Sequence, residues 1–132
     1  MLGHVSIRVT DLEASVQFYL AALAPLSYEA MRFPEVIGFG SKNSTAPIPD
    51  LWLRKHNPGP QNNNSAKPTP VHISFYVEER KTVHEFHACG IKAGGKDNGA
   101  PGVRPFMDNY YAAYVFDLDG NNIEVVCFAA QV

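Results

Sequence analysis

Three residues of this chain have the types a divalent metal ion prefers, and they recur at related places. His4 and His72 each open a strand-like run, HVSIRV (4–9) and HISFYV (72–77). Glu124 lies in NNIEVVCF (121–128), where a carboxylate between Ile123 and Val125 is costly to bury without a partner. Two imidazoles and one carboxylate suit Fe, Mn, Ni, Co or Zn as the divalent ion. Three protein ligands leave positions open to water or substrate, which a Lewis-acid or oxygen-activating catalyst requires. A lone histidine at a strand start is more often structural, so the weight rests on symmetry.

That symmetry is an internal repeat. One constant offset carries His4 onto His72, Ser6 onto Ser74 and Val9 onto Val77. The same offset carries Phe18 onto Phe86 and Leu23 onto Ile91, so the register survives a helix length. Each copy reads as a strand, a helix and three shorter strands. His4, Ser6 and Arg8 share one strand face. Thr10-Asp11-Leu12-Glu13 has capping-box spacing, and Leu12, Val16, Tyr19, Leu20 and Leu23 recur at helical spacing before Pro25. In the second helix Val83, Phe86, His87 and Gly90 form one stripe, with Gly90 as the expected stop. The later strands are expected at 27–33, 36–41 and 50–55, then at 91–96, 111–117 and 122–129. Aligning Leu51-Trp52-Leu53 with Ile123-Glu124-Val125 sets Trp52 opposite Glu124. Four positions thus become equivalent: His4, His72, Trp52 and Glu124.

The expected organisation is one domain over 1–132, with modules at 1–56 and 71–132. NPGPQNNNSAKPTP (57–70) reads as the linker. KDNGAPGVRPFMD (96–108) reads as a second long loop leading into the aromatic run Tyr110 to Tyr114.

Glu124 and Tyr114 are the candidate catalytic groups. Trp52, Arg8, Arg104 and Tyr111 are candidate substrate contacts, with Tyr110 and Asp50 as further wall residues. An inward Arg8 needs an anion, either a buried carboxylate or a substrate group. His84 and His87 sit three apart on a helix, where packing outweighs ligation, and His56 is expected to be solvated. Cys127 falls on the face opposite Glu124 as a packed thiol. No Ser-His-Asp spacing, GxSxG or phosphate-cradling glycine motif is present.

Composition bounds the rest. The 132 residues are 45% hydrophobic and 18% charged, with a formal net charge of -2 and scattered basic residues. That profile suits a globular protein and suggests neither a nucleic-acid nor a membrane partner. The start, MLGHVSIRV, lacks the pattern of a secretory leader, and a cytoplasmic location with reduced thiols is the expectation.

HVSIRVTDLEASVQFY, VHISFYV and FDLDGNNIEVV resemble the landmarks of the vicinal oxygen chelate superfamily, which includes glyoxalase I, fosfomycin and bleomycin resistance proteins and extradiol dioxygenases. PDLWL, GGKDNGAPGVRP, NYYAAYVFD and DGNNIEVVC place the resemblance nearest a small glyoxalase/bleomycin-resistance/dioxygenase-like branch. It implies an α+β fold, with two βαβββ modules paired into a cup-shaped, partly open mixed β-sheet barrel. It implies a divalent metal on His4, His72 and Glu124, and a small substrate chelated through neighbouring oxygens. It also implies a homodimer, in which His4 of one subunit could join His72 and Glu124 of the other. Glyoxalase I carries a glutamate ligand where this chain has Trp52, which counts against that activity. The expected function is lyase/isomerase, transferase or dioxygenase chemistry. The alternative is a metal-free protein that sequesters a drug or metabolite, as bleomycin resistance proteins do.

Overall fold

The computed structural model describes residues 1–45 and 48–131. The first half runs β1 (Val5–Val9), α1 (Leu12–Ala22), β2 (Tyr28–Phe33), β3 (Val36–Ser41) and β4 (Leu51–Lys55). The second runs β5 (His72–Tyr76), α2 (Arg80–Lys92), β6 (Lys96–Val103), β7 (Tyr111–Phe116) and β8 (Asn122–Cys127). Each half folds into its own four-stranded mixed sheet, ordered β1-β4-β3-β2 and β5-β8-β7-β6. This is the α+β architecture the repeat predicts, with one refinement: the two sheets do not close into a barrel.

Period-two alternation sorts each strand into an inner and an outer face. Ile7 and Val9 of β1 and Leu51 and Leu53 of β4 are buried in the first sheet. Val115, Ile123, Val125 and Cys127 do the same in the second. Both inner faces meet Val16, Phe18 and Tyr19 of α1 and Val83 and Phe86 of α2 in one continuous core. The helices also touch each other. Two polar links cross between the halves. Tyr19 donates its hydroxyl to Asp117 Oδ2 at 2.5 Å, and the Thr10 amide donates to Asp119 Oδ1 at 3.1 Å. Among the described residues, no helix is long and apolar enough to cross a membrane.

Four local expectations are corrected. The N-cap of α1 is Asp11, whose Oδ1 accepts from the Ala14 amide at 3.0 Å; Thr10 is drawn away to Asp119. Glu13 turns instead to Arg32, at 2.7 Å. The second helix passes Gly90 and ends at Lys92, and the left-handed residue that turns the chain is Gly94, at φ 103°. Gly90 is buried inside the helix because a Cβ there would crowd Val115 at 3.2 Å. The strand expected at 91–96 starts at Lys96 and occupies most of the supposed loop 96–108. Its sequence, KDNGAPGV, has low strand propensity, so pairing with β7 imposes the conformation, and register shifts on either side of Gly99 interrupt the ladder. His56 is not solvated but buried.

The Asp11 cap yields a modest expectation. Asp11→Ala should lower the unfolding free energy by about 1 kcal/mol, and Asp11→Ser should restore most of it. Equilibrium urea unfolding reads both. An unchanged midpoint for Asp11→Ala would show that the cap contributes nothing.

Candidate metal and substrate faces

Because the inner faces of both sheets point into the core, the outer faces carry the candidate site residues. On the first sheet, residues Ser6, Trp52, Gly38 and Met31 lie in register across β1, β4, β3 and β2. On the second, Ser74, Glu124, Tyr114 and Gly99 form the matching row across β5, β8, β7 and β6. The pairing therefore makes Trp52 and Glu124 equivalent, as the repeat alignment does. Each row also ends its aromatic beside a glycine. A Cβ on Gly38 would stand 3.1 Å from the Trp52 ring, and one on Gly99 would stand 2.8 Å from the Tyr114 ring.

Glu124 is 1% exposed, held in the middle of its sheet by β5 and β7. Its two oxygens have separate partners. Oε1 accepts from the Tyr110 hydroxyl at 2.5 Å, and Oε2 lies 2.9 Å from His72 Nε2. A carboxylate only accepts, so Nε2 carries the imidazole proton. These bonds offset the cost of burying the carboxylate. Burial, then the hydrogen bond and charge of Glu124, push the Tyr110 phenol above its usual range. Burial and the same charge raise Tyr114 too. Both phenols stay protonated donors at neutral pH.

Tyr114 lies 6.2 Å from the His72 ring, with the Arg104 guanidinium 5.2 Å over its own ring. Arg104 also donates through Nη2 to the carbonyls of Ala100 and Ala112, while its Nε is buried without a partner. It braces Tyr114 from behind. Tyr111 does not join this face. It pairs with Cys127 on the inner side and packs on α2, 2.6 Å from His84 Nε2 and under Arg80 at 4.5 Å. Tyr110 is the residue whose role spacing alone misses: its partner, fourteen residues on, is visible only through the fold.

On the first sheet His4 lies 6.1 Å from Trp52 in an edge-on ring contact, and Phe33 lies 5.6 Å from the same indole. The indole N–H donates to Pro49 O at 2.9 Å. Arg8 and Arg54 are register partners, both exposed on this face. Asp50 accepts from Tyr28 at 2.7 Å and lines a recess that His4 also borders. Cys127 is buried, on the side away from Glu124. His87 lies 2.8 Å from Asp97 at the helix–sheet margin.

The donor chemistry at His72 and Glu124 suits a borderline divalent ion, but the geometry supplies two donors, not three. Among the described residues no three His, Cys, Asp or Glu side chains converge closely enough to hold a metal. His4 stands on the other sheet, and the core that both sheets cover lies between the two inner faces.

A fold of two βαβββ units defines a class, and comparison with known proteins agrees. Residues 1–125 match the model of the Glyoxalase/Bleomycin resistance protein/Dioxygenase superfamily. The chain belongs to that superfamily. Among solved structures it is similar to a glyoxalase/bleomycin resistance protein from Albidiferax ferrireducens, with 26% identity and a TM-score of 0.75 over 95% of this chain and 96% of that one. It shares its fold with a glyoxalase/bleomycin resistance protein/dioxygenase family enzyme from Burkholderia phytofirmans, at 17% identity and TM-score 0.73, covering 97% and 98% of the chains. The fosfomycin resistance protein FosX from Mesorhizobium loti has the same fold at 16% identity and TM-score 0.64, covering 96% and 91%. A comparison with curated proteins finds no match.

Proposed function

We propose that this chain is a divalent-metal-dependent enzyme acting on a small oxygen-rich substrate, with its site completed between two copies. His72 and Glu124 of one copy and His4 of the other would hold the ion. The reading rests chiefly on one observation: a buried carboxylate and an exposed histidine are paired on one outer face, while the third donor stands beside Trp52 on a separate outer face. The bound ion would supply Lewis-acid polarisation of neighbouring substrate oxygens. The chain's own groups do the rest. Tyr110 holds Glu124 by one oxygen, and the other, bonded to His72 here, would turn with that imidazole to the ion once Nε2 gives up its proton. Tyr114, kept protonated, donates a hydrogen bond to a substrate oxygen, and Arg104 fixes its ring. Trp52 and Phe33 form an apolar wall. Arg8 and Arg54 offer charge to an anionic group. Trp52 occupies the position where glyoxalase I has a ligand glutamate, so the reading is lyase/isomerase, transferase or dioxygenase chemistry of another kind.

Mixed dimers test the arrangement. His4→Ala and His72→Ala variants should each hold little metal alone. When the two are unfolded and refolded together, about one site in four should recover, because one site of each mixed dimer keeps all its ligands. No recovery would place the ligands within one chain. Full metal content in either variant would sink the metal reading.

A second reading, metal-free sequestration, is supported by the closed Tyr110–Glu124–His72 arrangement and the aromatic walls. Under it, a ligand quenches Trp52 fluorescence with an affinity that chelator does not change.

A further inference from the structure

The outer strand of the second sheet is β6, with β7 as its neighbour. Register shifts lie between Asp97 and Gly99 and again between Gly99 and Gly102. Regular pairing therefore does not by itself fix the Gly99 segment, and a second anchor is needed. That segment bears on the candidate site. Gly99 is the register partner of Tyr114, and a Cβ there would stand 2.8 Å from the Tyr114 ring and 3.2 Å from Arg104 Nη2. Its φ of 154° also favours glycine. The ring and the guanidinium both rest against this bare stretch of backbone.

The anchor comes from α2. Asp97 Oδ1 accepts twice, from His87 Nε2 at 2.8 Å and from the Gly99 amide at 3.0 Å. A carboxylate only accepts, so Nε2 carries the proton. The His87 side chain is 19% exposed, on a helix that buries Val83, Phe86 and Gly90 and packs against both β6 and β7. The core thus sets where His87 stands, and one oxygen of Asp97 transmits that position to Gly99. The His87 hydrogen bond, then the Gly99 amide, hold the Asp97 carboxyl below its usual range, so it is an anion at neutral pH. Asn98 donates to Asn122 Oδ1 at 3.1 Å, but that bond does not engage the Gly99 amide. An exposed pair such as His87 and Asp97 adds little stability. Its effect here is on position.

We infer that His87 and Asp97 are positioning residues for Tyr114: through the Gly99 amide they hold β6 at the offset that seats the Tyr114 ring and Arg104. The inference rests on the proposed function above, in which Tyr114 donates to a substrate oxygen. Such a donor has to be held to within about 0.5 Å by neighbours whose own positions are fixed. A helix residue with no place on the outer face thereby governs a group that has one.

The test uses the full chain, treated with chelator and labelled with fluorotyrosine. It follows the fluorine NMR signal of Tyr114, assigned by its loss in Tyr114→Phe. Gly99→Ala, which sets a Cβ against the ring, marks where a displaced Tyr114 resonates. Asp97→Ala and His87→Ala should each move the signal beyond its parent linewidth, and the double variant should move it no further than either alone. Asp97→Asn keeps the Oδ1 acceptor and should return the signal to its parent position. In the Asp97 and His87 variants the Tyr28 signal, on the first sheet, and the urea midpoint should hold. A Tyr114 signal unmoved by either alanine change, an Asp97→Asn variant as displaced as Asp97→Ala, or all tyrosine signals moving together with a falling midpoint would each overturn the proposal. Metal content of the same variants is read separately by elemental analysis, so the positioning and the metal readings can fail independently.

Discussion

Glu124→Gln is expected to abolish stoichiometric metal uptake while leaving the metal-free protein as stable as the parent within about 1 kcal/mol. The first effect follows from the loss of an anionic ligand. Even residues that merely support a ligand cost roughly 10–100-fold in affinity when changed, and Glu124 would be a ligand itself. The second effect follows from shape. The amide oxygen can still accept from Tyr110, and the amide nitrogen can donate to His72 once its ring proton moves to Nδ1. Removing a buried charge offsets any loss in those bonds. Elemental analysis after metal loading, set beside urea unfolding of the chelated protein, separates the two. A Glu124→Gln protein that retains a full equivalent of metal would remove Glu124 from the site.

Tyr19→Ala should produce the largest loss of stability, about 3–5 kcal/mol, because it empties a fully buried aromatic from the shared core. Tyr19→Phe should lose only about 1 kcal/mol, since Asp117 Oδ2 keeps the Asn121 side-chain amide at 2.8 Å. The pair of variants divides packing from hydrogen bonding. Burial, reinforced by the Asp117 charge, raises the Tyr19 phenol well above its normal value. A group whose folded pKa is raised stabilises the fold below its unfolded pKa and loses that contribution as pH rises. The Tyr19 bond therefore holds through neutral pH and fails only above the ordinary phenol range near ~10. Both halves should melt in one transition, as the common core demands. If Tyr19→Ala released only residues 1–56 while signals from the second sheet persisted, the core would not be shared.

The sequence exposes those parts of this fold that are periodic. The repeat register, the strand faces and the equivalence of Trp52 with Glu124 all follow from alternation and a constant offset. Residues whose conformation is set by distant partners stay hidden. Thr10 looks like a cap but bonds to Asp119. Lys96–Val103 looks like a loop, yet it pairs with β7 along its length. His56 has the neighbours of a surface residue and is sealed by the segment folding back on it. At the candidate site, the sequence names His72 and Glu124, and the fold brings them to 2.9 Å. It cannot reveal that Tyr110 holds the carboxylate, nor that His4 does not converge with both on one metal-sized site. Those depend on which side of each sheet the core occupies.

The strand order has a consequence for how the chain is made. In each half the first strand pairs with the last strand of its own module, Val5 with Leu51 and His72 with Asn122. The hairpin pairs β2–β3 and β7–β8 close over short loops, but these parallel pairs close over nearly a whole module. During synthesis His4 and His72 therefore emerge early and wait, unpaired, until the far end of their module follows. A truncation that removes the last strand of a module leaves its first strand without the neighbour it pairs with, so the frame beside each histidine depends on the far end of its module.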